Sequence, residues 1–246
     1  MGKKINPKIF RLNTIGESSS KWFANAKDFP RILKEDVKIR KFIKTKFKNS
    51  GVSLIEIKRS SGNIEIIIHT ARPGVIIGRG GAGVEGIKKE IKRIFFGNQK
   101  ISIIITITEI SRPDLDAELI LQAMAVQIEK RVPFRRVLKR AIEQVKRAGA
   151  KGVKVCVSGR LNGAEIARTE LLADGKIPAQ TLRADIDYSR GVVNTIYGTI
   201  GIKVWIYKGD IFADDLKKKE ERASAPIKKS GKSKVAKVVK KVINKK

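Results

Sequence analysis

The chain has 246 residues and 41% hydrophobic residues, with 54 Lys and Arg against 24 Asp and Glu and a formal charge of +30. Such an excess opposes compaction by self-repulsion unless a polyanion neutralises it, and nucleic acid rewards each neutralised phosphate through counterion release. One His and one Cys exclude an internal disulfide framework, a His-rich metal site and any mechanism that needs a His pair.

No apolar run approaches the length of a membrane span and no signal peptide precedes the charged start, so a soluble, cytoplasmic protein without a membrane partner is expected. Residues 1–29 are basic and irregular, broken by Pro7 and by Ser18-Ser19-Ser20, and read as an N-terminal arm. Pro30 suits a first helical position. Leu33, Val37, Ile39, Phe42, Ile43 and Phe47 then recur at helical spacing up to a stop at Gly51. Two strand-like runs follow, Val52 to Lys58 and Asn63 to Thr70, with Ser60-Ser61-Gly62 as a hairpin turn. His69 shares a strand face with Glu65 and Ile67 and reads as a partly covered sheet residue rather than a catalyst.

Next comes Ile76-Ile77-Gly78-Arg79-Gly80-Gly81-Ala82-Gly83-Val84. Glycines adopt positive φ and let a phosphate approach the main chain, and the N–H groups opening the next helix face negative charge. Gly78, Arg79, Gly80 and Gly81 thus form a Gly-x-x-Gly turn of the kind with which KH modules clamp single-stranded RNA. A tight turn with no ligand is the plain alternative. The stretch also satisfies Gly-x-Gly-x-x-Gly, but a dinucleotide site needs a strand running directly into the first glycine within a parallel βαβ unit. Here Ala71-Arg72-Pro73-Gly74 intervenes, and Glu109, the acidic candidate for a ribose contact, lies beyond the usual distance. RNA clamping ranks first, a plain turn second and a dinucleotide site third, so no cofactor is expected.

A helix is predicted from Val84 to Phe95 with the stripe Val84, Ile87, Ile91, Ile94 and Phe95, and a β-branched strand from Lys100 to Ile110. If Ala71 to Gly83 adds a short turn of helix, residues 30–111 have the αββααβ order of a type II KH domain. Ser111-Arg112-Pro113 marks a boundary, and residues 112–212 form the second domain. There Asp114 is the expected N-cap, with Asp116 and Glu118 in the first turn and Lys130-Arg131 at the far end. A second helix runs from Phe134 to Ala148 after Pro133 and is closed by Gly149. Phe134, Val137, Leu138, Ala141, Ile142 and Val145 share one arc of it. Arg135, Arg136, Lys139, Arg140, Lys146 and Arg147 share the opposite one, relieved by Glu143. Solvated faces usually mix both signs, so this nearly one-signed face points to RNA.

Four strand-like runs complete the domain: Val153 to Ser158, Ala167 to Ala173, Thr181 to Tyr188, and Asn194 to Tyr207 with a bulge near Gly198 or Gly201. The fold class is α+β: an N-terminal KH type II domain, then a two-helix, four-stranded α+β layer sandwich, then a basic tail. In residues 213–246, twelve Lys and one Arg face four acids; this tail cannot build a core and is expected to be disordered. Cys156 sits in a strand-like run and reads as inert. Asp185 and Asp187, near Arg183 and Arg190, read as a salt-bridged strand. With no P-loop and no Ser-His-acid or Cys-His set, no enzyme activity is expected.

Longer segments carry a resemblance: Met1-Gly2-Lys3-Lys4-Ile5-Asn6-Pro7 with Phe10-Arg11-Leu12; Trp22-Phe23; His69-Thr70-Ala71-Arg72-Pro73-Gly74; Ser158-Gly159-Arg160-Leu161-Asn162-Gly163-Ala164-Glu165-Ile166-Ala167-Arg168; Arg183-Ala184-Asp185-Ile186-Asp187-Tyr188; and Tyr197-Gly198-Thr199-Ile200-Gly201-Ile202-Lys203-Val204-Trp205-Ile206. Over residues 1 to about 212 the chain resembles the bacterial form of the ribosomal protein S-three family. The resemblance implies a protein of the small-subunit head that binds small-subunit rRNA beside the channel by which mRNA enters. It implies the fourth and fifth small-subunit proteins as neighbours and contact with the tenth and fourteenth. It implies that Arg135, Arg136 and Lys139, with Arg140 beside them, face incoming mRNA and assist its unwinding. Lys3, Lys4, Arg11, Arg160, Arg168 and Arg183 are further expected rRNA contacts. Relatives often carry a second basic residue where this chain has Gly80, which leaves Arg79 as the loop's only charge. The lysine-rich segment after residue 213 is expected to lie outside the shared pattern.

Overall fold

The β-branched runs around Ser60 pair as a hairpin and form the middle of a first sheet. In the computed structural model, which describes residues 4–60, 62–97 and 101–212, β2 (Val52–Ser60) and β3 (Asn63–Thr70) are antiparallel. β4 (Ser102–Glu109) lies parallel to β3, and a two-residue strand of the arm, β1 (Ser20–Lys21), lies parallel to β2. The order is β1-β2-β3-β4. Lys3, the predicted strand start at Lys100 and the tail 213–246 lie outside the described residues. Both sheets and their helices belong to a compact unit that ends at Asp210.

One face of this first sheet is covered by helices. α2 (Phe29–Lys46) contributes Ile39 and Ile43, α3 (Pro73–Ile77) contributes Ile76, and α4 (Ala82–Ile91) contributes Ile87 and Ile91. They pack on Ile55, Ile57, Ile64, Ile66, Ile68 and Ile103. Helix, two strands, two helices and a strand give the type II KH order. α4 continues as a π turn over Lys92–Phe96. A π turn holds more residues than an α turn, so the stripe rotates. Phe96 is 5% exposed, whereas Ile94, expected inside, is 51% exposed.

Residues 4–29 of the arm hold more regular structure than their composition suggests. After α1 (Pro7–Phe10), Trp22 donates from Nε1 to the Asp36 carboxylate of α2 at 2.7 Å. Arg59 of β2 binds the same buried Asp36 through Nε at 2.8 Å. Arg40 donates to the Ser19 carbonyl at 2.9 Å.

The second half is α5 (Ala117–Glu129) and α6 (Phe134–Arg147) laid on an antiparallel sheet ordered β6-β5-β8-β7. Its strands are β5 (Gly152–Gly159), β6 (Arg168–Gly175), β7 (Ala184–Thr195) and β8 (Gly198–Asp210). Ile120, Met124, Val137, Leu138, Ala141 and Val145 meet Val153, Val155, Val157, Ile202, Val204 and Ile206 in its core. The last two strands differ from expectation. β7 runs on through Gly191 to Thr195, and the turn is Ile196-Tyr197, closed by the pair Thr195 and Gly198. The bulge is at the far end, where Asp185 opposes Gly209, Ile186 opposes Tyr207, and Lys208 is the extra residue.

Asp114 belongs to a short 3-10 turn, Pro113–Leu115, and Asp116 is the N-cap of α5. It accepts from the N–H of Glu118 at 2.9 Å and of Leu119 at 3.2 Å. Asp116→Ala is expected to destabilise the chain by about 1–2 kcal/mol in chemical denaturation, and Asp114→Ala by less than about 0.5 kcal/mol. Equal effects would refute the cap assignment. α5 also meets the first sheet: Gln122 donates to the Val52 carbonyl at 2.8 Å, and Lys44 of α2 pairs with Glu118 at 3.2 Å.

Candidate nucleic-acid interface

The glycine loop joins α3 to α4. Gly78 (φ 68°), Gly80 (φ 61°) and Gly81 (φ 85°) occupy conformations that L residues rarely adopt. A Cβ at Gly80 or Gly81 would meet nothing within 4 Å, so this part of the loop is bare backbone open to solvent. No side chain caps α4, so its first turn presents N–H groups beside that backbone. Arg79 is exposed in the middle of the turn, and Glu85 is the acid of the first helical turn. Gly83 serves packing instead, since a Cβ there would lie 2.4 Å from the Ile76 carbonyl oxygen and 2.8 Å from that of Ile77. Its bare backbone is what allows α4 to cross α3 so closely. β3 and β4 are parallel around this segment, as a dinucleotide unit requires, but α3 stands between β3 and Gly78. A strand therefore does not deliver the first glycine, and the dinucleotide geometry is not met.

α6 buries Val137, Leu138, Ala141 and Val145 and exposes Arg135, Arg136, Lys139, Arg140, Lys146 and Arg147. The exposed residues are not equivalent. Arg135 lies 3.8 Å from Glu170 and holds its guanidinium 5.8 Å above the Phe134 ring. Lys146 pairs with Asp174 at 2.8 Å, and Arg147 reaches Glu143 at 3.9 Å. Arg136, Lys139 and Arg140, at i, i+3 and i+4 spacing, form no ion pair among the described residues. They make a fixed cationic patch on a helix whose opposite face is locked into the core.

The other expected contacts separate. Lys4 and Arg168 are exposed, and Arg183 is exposed 3.7 Å from Asp210. Arg160 is half-buried and donates to the Ala164 carbonyl at 2.9 Å and the Tyr197 carbonyl at 3.3 Å, so it braces two loops. Arg11 is a correction. It is 3% exposed and donates to the carbonyls of Pro7 at 3.1 Å, Pro178 at 3.2 Å, Ala179 at 2.9 Å and Thr181 at 2.8 Å. Its fork faces the protein, because three carbonyls of one loop converge there.

His69 is half-buried, 3.2 Å from Glu56, as a sheet residue would be. Asp187 has partners other than Arg183 and Arg190. It binds Lys8 at 2.7 Å, Lys208 at 3.8 Å and the N–H of Ala117 at 2.9 Å. Burial would push its carboxyl up, but these three groups outweigh burial and hold it below the usual carboxylate range. Phe134 is the feature that helical spacing concealed. It belongs to the inward arc, yet it is half-buried and carries Arg135 across its ring.

Residues 38–115 match the family described as "KH domain", and residues 124–206 match "Ribosomal protein S3, C-terminal domain". The chain is 54% identical over 211 residues to small ribosomal subunit protein uS3 of Caldicellulosiruptor saccharolyticus, covering 86% of this chain and 94% of that one. The chain belongs to the ribosomal protein S3 family. A uS3 of Microcystis aeruginosa is 49% identical over 211 residues, 86% of each chain. The uS3 of Laribacter hongkongensis is 45% identical over 236 residues, covering 96% of this chain and all of that one. The Laribacter match extends beyond residue 213, so the lysine-rich segment is not wholly outside the family pattern as the sequence suggested. The exposed glycine loop and the basic helix thus lie in the two parts of the chain that the family matches cover.

Proposed function

We propose that the chain is a structural constituent of the small ribosomal subunit head, binding small-subunit rRNA and lining the channel by which mRNA enters. Residues 30–111 act as the RNA-binding KH unit and residues 112–212 as the channel-side unit, with the fourth, fifth, tenth and fourteenth small-subunit proteins around them. The observation that carries the channel role is the patch Arg136, Lys139 and Arg140, with Arg135 beside it. These cations sit on one rigid helix and form an electrostatic track for a single strand. Holding the phosphates of one strand while translocation pulls the message opposes re-pairing, and such unwinding needs no nucleotide site in this chain. Gly78, Arg79, Gly80 and Gly81 clamp a second RNA segment through backbone N–H groups. We assign no catalytic residue.

The test is Arg135→Ala with Arg136→Ala and Lys139→Ala in assembled ribosomes. Assembly is expected to continue, while passage through a stable mRNA hairpin slows in single-turnover kinetics. With the isolated chain, Arg136→Ala, Lys139→Ala and Arg140→Ala together are expected to shrink the log–log salt slope for single-stranded RNA by about 2 units for three lost phosphate contacts. Unchanged hairpin passage removes the unwinding role. An unchanged salt slope removes the phosphate contacts themselves.

A further inference from the structure

A cleft of about 390 Å³ lies where the start of α6, the 160–163 turn and the tip of the β7–β8 hairpin meet. That volume falls in the range of small-molecule sites. Phe134 and Tyr197 supply aromatic surface to its walls, Asn162 and Asn194 supply amides, and Arg131 and Arg160 supply positive charge. Glu129, the one acid of the lining, already pairs with Lys48 at 3.6 Å.

Three observations mark this as a built site. Arg160 donates to the Ala164 and Tyr197 carbonyls and so fixes the hairpin tip against the turn. Gly163 (φ 81°) lets the Tyr197 ring lie against bare backbone, since a Cβ there would come within 3.1 Å of Cε2. Arg131 (φ 58°) and Asn162 (φ 55°) are two of the three described non-glycine residues at positive φ, and both line this cleft. Backbone strain of this kind clusters at functional sites. The hairpin tip is also unusually apolar for a turn, with Ile196 75% and Tyr197 50% exposed.

We propose that the cleft receives one unpaired base of the single-stranded RNA that follows the basic face of α6. The proposal rests on the reading of α6 as an RNA track. Phe134 belongs to both features: it lines the cleft and supports Arg135 at the head of that track. A backbone running along Arg136, Lys139 and Arg140 would bring a base to the cleft, where Tyr197 and Phe134 offer stacking surfaces. The amides of Asn162 and Asn194 match the donors and acceptors of a base edge. An apolar protein side chain would leave both amides and the Arg131 guanidinium without a use, so the chemistry favours a base.

The test compares a short single-stranded RNA with an abasic RNA of equal length, by fluorescence anisotropy on the full chain. Gly80→Asp with Gly81→Asp provides a background in which the glycine loop does not contribute. The base-containing RNA is expected to bind about tenfold more tightly, from one stacked base. Tyr197→Ala is expected to abolish that ratio without changing affinity for the abasic RNA, and Tyr197→Phe to preserve it. In assembled small subunits, RNA carrying 4-thiouridine is expected to crosslink to Tyr197 or Phe134. A ratio unaffected by Tyr197→Ala, or crosslinks confined to other surfaces, would overturn the proposal. Loss of a neighbouring ribosomal protein from Tyr197→Ala subunits with the ratio unchanged would overturn it in favour of a protein contact. The reading of α6 fails separately. Arg136→Ala, Lys139→Ala and Arg140→Ala should weaken both RNAs alike, and no loss for either would sink that reading whatever Tyr197 does.

Discussion

Gly83→Ala is expected to destabilise the chain by about 3 kcal/mol, whereas Gly80→Asp with Gly81→Asp is expected to leave a folded protein with a disabled RNA loop. The three glycines lie within four positions of one another and do different physical work. At Gly83 an added methyl group collides with the Ile76 and Ile77 carbonyl oxygens at 2.4 and 2.8 Å. Both are backbone atoms with no rotamer to yield, so α3 and α4 must separate and Ile76 and Ile87 lose their packing. At Gly80 and Gly81 nothing lies within 4 Å, and the obstacle is the positive φ alone. Asp is one of the few non-glycine residues that visit that region, so each position costs less than the roughly 1–2 kcal/mol of an ordinary L residue. Two carboxylates where phosphate must approach then repel it. Thermal unfolding checks the first variant and RNA binding at fixed salt checks the second. Wild-type stability for Gly83→Ala would refute the packing role, and undiminished binding for the double Asp variant would refute the clamp.

The same contrast between local and distant causes explains what could be read in the sequence. The β2–β3 hairpin, the α4 stripe up to Ile91 and the two faces of α6 follow from periodicity, because each depends on neighbours three or four residues away or on alternation. The hairpin tip at Ile196-Tyr197 is hidden in the sequence, where the strand-like runs end at Tyr188 and resume at Asn194 with Gly191 in the gap between them. Gly191 is instead a strand residue whose missing Cβ makes room for Leu121, with Cδ2 only 2.6 Å from where that atom would stand. A glycine required by a helix packing from another element is indistinguishable in sequence from one required by a turn. Arg11 failed for a similar reason. In a basic arm its charge suggested RNA, but its partners are carbonyls of residues 178–181, about 170 positions away. The π turn after Ile91 rotated Phe96 inward through a change of hydrogen-bond register that no residue type announces. For the interface, spacing identified the charged side of α6. It could not tell Arg136, Lys139 and Arg140 from the cations already matched to Glu170, Asp174 and Glu143.

Asp187→Ala is expected to lower stability by about 3 kcal/mol near neutral pH and to release the arm. Asp187 is 8% exposed, and its carboxylate ties three parts of the chain to β7: Lys8 of α1, Lys208 of β8, and the N–H of Ala117 at the start of α5. Ala removes all three contacts and leaves a buried N–H without its acceptor. Asp187→Asn keeps an acceptor for Ala117 but removes the charge, so about half the loss is expected. The pH dependence separates the two contributions. Burial opposes the charged form of Asp187, and Lys8, Lys208 and the Ala117 N–H outweigh it, so its folded value lies below the unfolded one. Its stabilisation is therefore present above about pH 4 and is lost as pH falls through the folded value. Lys8 shifts the opposite way. Burial opposes its charge as well, but Asp187 overcomes this and raises it. Its stabilisation is present below about pH 10.4 and is lost as pH rises through the folded value. The stability gap between the native chain and Asp187→Asn should be widest between about pH 5 and 9 and should close toward both extremes. Urea midpoints across that range measure it, with hydrogen exchange at Phe10 and Leu12 reporting the arm. A gap that does not vary with pH would show that packing around Asp187, and not its charge, anchors the arm.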